Sequence, residues 1–512
     1  MLVKLFGAAV QGIDATIVTI EVNSSRGIKF FLVGLPDSAV KESHERIISA
    51  LQVNGYKFPT CQLVINMAPA NLRKEGSSYD LPLAIGILAA TGTVSSEKLG
   101  RYLLIGELGL DGSLQAIRGA LPIAIAARSQ GFEGLILPKQ NAREAAVVNN
   151  LSVYGVGNIT EVIDFFNGAG QLTPTEVNTR EEFYRNQANF PFDFAEVKGQ
   201  ENVKRALEVA AAGGHNILLV GAPGSGKSMM AKRLPGILPP LSLGESLETT
   251  KIHSVAGKLG KDVSLIAVRP FRSPHHTISQ VAMVGGGASP QPGEISLAHN
   301  GVLFLDELPE FNRSVLEVLR QPLEDRHITI SRAQYTLDYP ASFQLVASMN
   351  PCPCGYYNHP TRNCVCSPGQ VQRYLNRISG PLLDRIDIQV EIVPVPFEKM
   401  SEQTQAESSA AIRERVVRAR QLQTARFASV PGVYCNAQMT SRLLNQYARP
   451  DDKGLDLLRN AMTRLNLSAR AYDRILRVAR TIADLEGVEQ IQSWHLAEAI
   501  SYRNLDRENW AG

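Results

Sequence analysis

Long hydrophobic runs are absent from this sequence of 512 residues. Its apolar stretches, such as 83–90, are far shorter than the ~18 residues that a membrane-spanning helix needs, and the N-terminal run at 5–10 soon meets Asp14. We therefore expect neither a secretory signal nor a membrane partner. Cysteine is also scarce, with six residues, which excludes a disulfide-stapled scaffold and fits a reducing compartment. These absences predict a cytoplasmic protein.

An excess of charge of either sign is missing as well. The sequence has 52 basic and 49 acidic side chains, for a net charge of +3, so any contact with nucleic acid has to come from local features. With 20% charged and 44% hydrophobic residues, the composition is that of an ordinary globular protein and excludes disorder or collagen as the overall class. At ~150 residues per domain, the length indicates about three domains.

Four regions differ in pattern. Region 1–167 mixes strand-like and helical stretches, whereas the polar stretch 168–193 has no sustained periodicity, which indicates a linker. In 194–395 apolar strands alternate with helices, which predicts a parallel sheet. From 396 to 512 the pattern is helical, with candidate helices at 402–426, 436–447, 453–466, 468–486 and 493–502. The predicted fold class is therefore α/β, with a helical C-terminal region.

A glycine-rich motif, GAPGSGKS at 221–228, directly follows the apolar stretch NILLV at 216–220. It fits the pattern G-x-x-x-x-G-K-[ST], in which glycines let backbone amides approach phosphates and the start of the next helix favours anions. In this pattern the lysine contacts the β- and γ-phosphates of ATP and the serine hydroxyl ligates Mg²⁺. The predicted nucleotide-binding residues are Gly221, Ala222, Pro223, Gly224, Ser225, Gly226, Lys227 and Ser228.

Polar side chains end two further apolar stretches. The first, GVLFLDE at 301–307, ends in Asp306, which we expect to hold Mg²⁺, and Glu307, which we expect to orient or deprotonate the attacking water. The second, QLVASMN at 344–350, ends in Asn350, whose amide can hydrogen-bond that water. Together with the glycine-rich motif, these residues predict ATP binding and hydrolysis.

Arginines downstream are candidates for contact with the γ-phosphate. Arg385, in LLDRID at 382–387, is predicted to reach the nucleotide of a neighbouring subunit, with a surface ion pair to a neighbouring aspartate as the alternative. Arg470, Arg474 and Arg477 share one helix face because they are spaced i, i+4 and i+7. Arg470, at the helix start, is predicted to meet the γ-phosphate, while a solvated basic face is the alternative for the other two.

Four of the six cysteines lie within fifteen residues: Cys352, Cys354, Cys364 and Cys366. Four thiolates suit tetrahedral Zn²⁺, although C-x-C spacing is less diagnostic than C-x-x-C. We predict a structural zinc site, with reduced structural thiols or redox chemistry as the alternatives. His359 is a candidate to replace one of the cysteines.

This set of motifs resembles that of AAA+ ATPases of the magnesium-chelatase/MCM-like branch. The resemblance covers 194–395 and the C-terminal helices, and it is most specific in PGEISLAHNG at 292–301 and NPCPCG at 350–355. Over its full length the sequence resembles the ComM (YifB) family of magnesium-chelatase-like proteins. That family is described as hexameric, ATP-driven DNA branch-migration helicases of recombination and natural transformation. The resemblance implies a homo-hexamer that uses ATP and Mg²⁺ and acts on single-stranded and branched DNA.

MCM-like proteins carry two insertions in the core, and the resemblance implies both here. One is an insert in the second helix at about 265–292, which contains Arg269 and Arg272, and the other is a hairpin at about 326–341, which contains Arg332. In a hexamer both would face the central pore, so these three arginines are the candidate DNA contacts. A hairpin that only packs against its neighbour is the alternative.

The N-terminal region resembles the proteolytic domain of Lon, which has a ribosomal S5 domain 2-like α+β fold. The resemblance lies in 106–112, 114–128 and KEGSSYD at 74–80. Ser78 lies near the nucleophile position of Lon, but Leu121 stands where Lon has its lysine, and no lysine occurs between Lys98 and Lys139. Because a Ser–Lys dyad needs a lysine to take the proton, we expect the fold without the protease chemistry. Lys74 remains a possible substitute.

The sequence therefore predicts an ATP-dependent DNA motor, a branch-migration helicase, with three domains. These are an inactive Lon-like domain at 1–167, an AAA+ core at 194–395 after the linker 168–193, and a helical lid at 396–512. One alternative is a magnesium-chelatase-type motor subunit that acts on a protein partner. Another is an ATP-dependent protease or unfoldase, which the missing lysine disfavours.

Overall fold

The computed structural model describes residues 1–187, 190–260, 263–287, 290–332, 335–357, 359–395, 406–465 and 467–503. The chain divides into two compact units. Unit 1 comprises Met1–Asn186 and Ser242–Ala267, and unit 2 comprises Gln187–Leu241 and Val268–Gly512. Each unit has its own main sheet, and α-helices cover both sheets, so the fold is mixed α/β.

The main sheet of unit 1 has seven strands, in the order β3-β4-β2-β1-β5-β8-β9. A long antiparallel hairpin, β1 with β2, forms its centre, and β5, β8 and β9 run parallel to β1 on one side. The strands of unit 1 are β1 (Leu2–Gln11), β2 (Asp14–Ser25), β3 (Phe30–Val33), β4 (Gln62–Ala68), β5 (Tyr102–Leu104), β6 (Glu107–Leu108), β7 (Leu114–Gln115), β8 (Gly134–Pro138) and β9 (Ser152–Val156).

The described residues of unit 1 form seven α-helices. These are Ser38–Val53, Asp80–Ala90, Ala120–Ser129, Ala142–Ala145, Ile159–Phe166, Thr179–Asn186 and Leu243–Val255. Every residue of Asp80–Ala90 is buried, which explains the apolar run at 83–90 as a core helix. Among the helices of the described ranges, none combines the length and the apolar character that crossing a membrane requires.

The division into units differs from the one predicted from the sequence. The stretch 168–193, predicted as a linker, contains the helix Thr179–Asn186, which buries Phe183. Residues 242–267, predicted as part of the core at 194–395, belong instead to unit 1, where Ser254 O accepts a hydrogen bond from Gly119 N at 3.1 Å. The Ser254 hydroxyl also bonds to the buried carboxylate of Glu144. These contacts join residues over 100 positions apart, so local pattern could not reveal them.

The main sheet of unit 2 has five parallel strands, in the order β11-β14-β17-β10-β18. The hairpin predicted at 326–341 is present as the antiparallel pair β15 and β16, outside this sheet. The strands of unit 2 are β10 (Ile217–Gly221), β11 (Phe271–Arg272), β12 (Gly285–Gly286), β13 (Gln291–Pro292), β14 (Val302–Leu305), β15 (His327–Arg332), β16 (Tyr335–Pro340), β17 (Gln344–Met349) and β18 (Ile388–Ile392).

Helices cover this sheet, so its central strands are buried along their whole length. Before the C-terminal region the described helices of unit 2 are Glu201–Gly213, Lys227–Arg233, Gln280–Val284, Glu294–Leu297, Arg313–Glu317, Arg320–Asp325, Pro368–Leu375 and Gly380–Leu383. The C-terminal helices are Ser409–Arg426, Ser441–Tyr447, Asp452–Arg464, Ala469–Glu486 and Ser493–Ser501. The core of unit 2 joins the sheet to the C-terminal helices, as in the contact of Ala469–Glu486 with Glu201–Gly213.

Candidate active site

The glycine-rich loop connects the end of β10 to the start of the helix Lys227–Arg233. Gly226 has a φ of +96°, in the left-handed region that favours glycine. At Gly221 a Cβ atom would lie 2.6 Å from the carbonyl oxygen of Ile392 on the neighbouring strand. The loop therefore requires glycine at both positions, for the backbone angle at one and for space at the other.

Lys227 lies at the centre of the predicted site. Its Nζ donates hydrogen bonds to Gly221 O at 2.7 Å, Ala222 O at 3.0 Å and Asn350 Oδ1 at 3.0 Å. Burial lowers the pKa of this ammonium group, although the carboxylate of Asp306 opposes the shift. The structure thus joins the lysine of the loop to Asn350, which follows β17, as expected when parallel strands end at one edge of a sheet.

Asp306 and Ser228 also meet directly. The Ser228 hydroxyl donates to Asp306 Oδ2 at 2.6 Å, and the Ser348 hydroxyl donates to Asp306 Oδ1. A hydroxyl beside a carboxylate is the hard oxygen set that Mg²⁺ prefers, so the two predicted Mg²⁺ ligands fit the ion. Ser348 was not predicted. Its signal in the sequence is a serine within the apolar stretch of β17, two residues before Asn350.

Glu307 follows Asp306 and lies at the same edge of the sheet. Its backbone is left-handed, with a φ of +54°, and its side chain is 58% exposed. One carboxylate oxygen lies 3.6 Å from Nδ1 of His276, a residue that belongs to none of the predicted motifs. This exposed carboxylate beside the Lys227 site is suited to contact water.

Arg385 has a partner that neither prediction anticipated. Its side chain is 9% exposed, its Nη2 lies 2.6 Å from Glu324 Oε1, and its Nη1 donates to Pro381 O at 2.6 Å. The alternative prediction of an ion pair with a neighbouring aspartate is therefore wrong, because the partner is Glu324 on the helix Arg320–Asp325. Reaching a neighbouring subunit would require the guanidinium to leave this carboxylate.

The three arginines of the helix Ala469–Glu486 have different environments. Arg470 is 66% exposed, with Nη1 3.6 Å from Asp384 Oδ2. Arg474 forms an ion pair with the buried Asp387, and burial lowers the pKa of Arg477. The alternative of a solvated basic face is therefore wrong for Arg474 and Arg477, and Arg470 alone of the three is exposed enough to meet a ligand.

Two of the arginines predicted to contact DNA form hydrogen bonds to other residues of unit 2. Arg272 forms a two-bonded ion pair with Glu294, both distances being 2.7 Å. Arg269 donates to Pro239 O at 2.6 Å and to Asn300 O at 2.8 Å. The predicted insert at 265–292 includes the edge strand β11. DNA contact by either arginine stays a prediction, and it would require the guanidinium to leave these partners. Arg332 ends β15, and its side chain lies outside the described part of the structure.

The four clustered cysteines converge. Their sulfur atoms all lie within 4.8 Å of one another, in a group found among the described residues. The Sγ–Sγ distances are 3.4 Å from Cys352 to Cys354, 3.7 Å from Cys352 to Cys364 and 3.6 Å from Cys354 to Cys364. The Nδ1 of His359 instead accepts backbone N–H groups of its own loop, so the predicted replacement of a cysteine by His359 is not what the structure shows.

The Lon-like segment at 1–167, which the structure describes in full, has no serine–lysine pair. Lys74 is fully buried and its Nζ donates to Pro69 O, while burial lowers the pKa of the ammonium group. The hydroxyl of Ser77, next to Ser78, donates to Glu107. Leu121 is buried in the helix Ala120–Ser129. These positions favour structural roles for the residues that Lon would use in catalysis.

Taken together, the loop after β10, the carboxylates after β14 and the amide after β17 define a P-loop ATPase of the AAA+ class. Three family models match the chain: "Magnesium chelatase, subunit ChlI" over 193–400, "Subunit ChlI of Mg-chelatase" over 20–141 and "Magnesium chelatase, subunit ChlI C-terminal" over 406–503. The chain belongs to the ComM/YifB family of these magnesium-chelatase-like proteins.

Relatives match over nearly the whole length. Competence protein ComM of Haemophilus influenzae is 44% identical over 98% of this chain and 97% of its own. The uncharacterized protein YifB of Escherichia coli is also 44% identical, over 98% of this chain and 96% of its own. A more distant relative, the magnesium-chelatase 38 kDa subunit of Rhodobacter capsulatus, is 26% identical over 31% of this chain and 50% of its own.

Proposed function

We propose that this protein is a hexameric, ATP-dependent DNA motor that migrates DNA branches during homologous recombination and the integration of DNA in natural transformation. The observation that carries the motor activity is the pair of contacts Lys227–Asn350 and Ser228–Asp306 at one edge of the sheet. It brings a phosphate-binding cation, a Mg²⁺ site and a polar sensor side chain together.

Each side chain of the site has a role in hydrolysis. Lys227 binds the β- and γ-phosphates, and Ser228 and Asp306 hold Mg²⁺. Glu307 orients or deprotonates the attacking water, to which Asn350 donates a hydrogen bond. When Mg²⁺ is bound, it neutralises charge on the phosphates.

DNA is proposed as the substrate because of the family. The relative from Haemophilus influenzae is named a competence protein, and it matches 98% of this chain. The hairpin of β15 and β16 forms a sheet of its own, and its first strand, β15, ends at Arg332. In a ring of six subunits this hairpin would face the central pore, where Arg332 would contact DNA phosphates. We propose that this activity is cytoplasmic.

ATP would lie between subunits of the ring. Arg470, which is exposed, would meet the γ-phosphate from its own subunit, and Arg385 would meet it from the next. The second role requires Arg385 to exchange Glu324 for the phosphate. Assembly would thus complete the catalytic site.

A second candidate function is that of a magnesium-chelatase-type motor subunit with a protein partner. The family models, which are named after a chelatase subunit, favour it. Two relatives named as magnesium-chelatase subunits cover 31% and 46% of this chain, whereas the competence protein covers 98%. We therefore prefer DNA as the substrate.

Steady-state ATP hydrolysis tests the proposal, with and without single-stranded and branched DNA. We expect DNA to stimulate hydrolysis, and we expect Arg332→Ala to lose the stimulation while retaining nucleotide binding. The matched control is Arg459→Ala, an exposed arginine on a C-terminal helix, which should keep the stimulation. Glu307→Gln should bind ATP and turn it over very slowly.

Equal rates with and without DNA would refute the DNA motor and favour a protein partner. Normal turnover by Glu307→Gln would refute the assignment of the catalytic carboxylate. Loss of stimulation in both arginine variants would refute a specific contact at the hairpin.

A further inference from the structure

The sulfur geometry of Cys352, Cys354, Cys364 and Cys366 matches a metal site. In a tetrahedral zinc site with Zn–S bonds of about 2.3 Å, the sulfur atoms are about 3.8 Å apart. The three Sγ–Sγ distances given above are 3.4 to 3.7 Å, and none of the four cysteines forms a disulfide. The C-x-C spacing is no obstacle here, because Cys352 and Cys354 already converge.

The described residues of the loop 352–366 have little apolar contact that could order them. Of these and their described neighbours, Cys352 and Val371 are the fully buried members of a small cluster, and the other cysteines, Tyr357 and Leu375 are partly buried around them. Val365 is 84% exposed, although it lies between two of the cysteines. A metal ion supplies the folding free energy that such a segment otherwise lacks.

The same loop contacts the phosphate-binding loop. Gly355 is buried against Pro223, so closely that a Cβ atom on Gly355 would lie 2.4 Å from Pro223 Cδ. The loop also begins only two residues after Asn350, whose Oδ1 accepts a hydrogen bond from Lys227. Movement of the loop 352–366 would therefore shift Pro223 and Asn350, which both belong to the predicted nucleotide site.

We propose that Cys352, Cys354, Cys364 and Cys366 bind one zinc ion that braces the phosphate-binding loop, so that nucleotide affinity depends on zinc. The zinc site itself stands on the sulfur geometry. The effect on affinity rests on the proposed nucleotide site. Zinc acts at a distance here, through Gly355 and Asn350, and has no part in the chemical step.

Metal analysis of the full-length protein tests the site without nucleotide or DNA. We expect one zinc per chain by mass spectrometry after purification without chelators. Replacement by Co²⁺ should give the visible and near-ultraviolet bands of tetrahedral cobalt thiolate. Cys364→Ser should lose the metal, whereas Cys61→Ser, a matched control in unit 1, should keep it. A metal-free chain that also gives no cobalt bands would overturn the proposal.

Binding of a fluorescent ATP analogue tests the brace. After zinc is removed with a chelator, Kd for the analogue should rise about tenfold. This is the rise expected if the zinc-free chain has the phosphate-binding loop in its binding conformation about one tenth of the time. Returning zinc should restore the affinity, which separates this effect from irreversible unfolding of a variant. Unchanged affinity in the zinc-free protein would overturn the brace. A failure of DNA to stimulate hydrolysis would leave both zinc results intact, so the two proposals fail separately.

Discussion

The buried carboxylate of Asp387 should contribute strongly to the stability of unit 2, and Asp387→Asn tests this. Asp387 is 2% exposed, forms an ion pair with Arg474, and accepts a hydrogen bond from Asn216 N at 3.1 Å. Its loss leaves a buried guanidinium without its anion, which costs about 3–5 kcal/mol. The control is Asp384→Asn, because that carboxylate is 37% exposed and lies 3.6 Å from Arg470. The control should cost about 1 kcal/mol or less.

Tryptophan fluorescence can measure this loss of stability for unit 2 separately from unit 1. The chain has two tryptophans, Trp494 and Trp510, and both follow Val268 in the sequence. A signal from the whole chain would mix the unfolding of two units, which is not a two-state transition. Urea titration of the fluorescence gives the free energy of unfolding by linear extrapolation.

The pH dependence provides a second check on Asp387. Burial raises the pKa of this carboxyl group, but Arg474 and His215 overcome that effect and hold the pKa well below its usual range. The stabilisation is therefore complete above about pH 5 and declines as the pH falls below the unfolded pKa of about 3.9. The difference in the free energy of unfolding between wild type and Asp387→Asn should become smaller in acid. A difference under about 1 kcal/mol at neutral pH, or one that becomes larger in acid, would refute the reasoning.

Three further predictions concern the nucleotide site. Ser348→Ala removes a hydroxyl that orients Asp306, so the Mg²⁺ concentration for half-maximal hydrolysis should rise about tenfold or more; an unchanged Mg²⁺ titration would contradict this. Gly226→Ala forces a Cβ onto a left-handed backbone at a cost of about 1–2 kcal/mol, and a fluorescent analogue should show weaker ATP binding. Wild-type affinity of Gly226→Ala for the analogue would contradict the requirement for glycine at this position. Glu324→Gln frees Arg385, so hydrolysis per subunit should increase, and a double variant with Arg385→Ala should lose the gain. A gain that survives in the double variant would exclude Arg385 as its cause.

The nucleotide site was largely predictable because its parts are local motifs on strands that share an edge. The end of β10 and Asn350 after β17 come together because their strands are parallel neighbours, and Asp306 follows β14 on the other side of β17. The hairpin of β15 and β16 lies where the resemblance to MCM-like proteins predicted one, at about 326–341.

Partners of charged side chains were not predictable. The family resemblance made Arg269 and Arg272 candidate DNA contacts, but the sequence did not show that a carbonyl group and Glu294, from segments 22 to 31 residues away, accept their hydrogen bonds. Spacing also could not show that Arg385 pairs with Glu324. Ser348 was missed because a hydroxyl within an apolar strand gives no sign of its acceptor until the neighbouring strand is known.

Residues 242–267 belong to unit 1 although they follow part of unit 2 in the sequence, so a single cut cannot separate the two units. A single cut after Asn186 leaves the helix Leu243–Val255 attached to unit 2, and unit 1 loses the partner of Gly119 and Glu144. A fragment that ends at residue 186 is therefore an incomplete folding unit, and its instability would say nothing about unit 1. Separation would need the helix to be supplied as well, for example as a second segment joined to the fragment by a short linker.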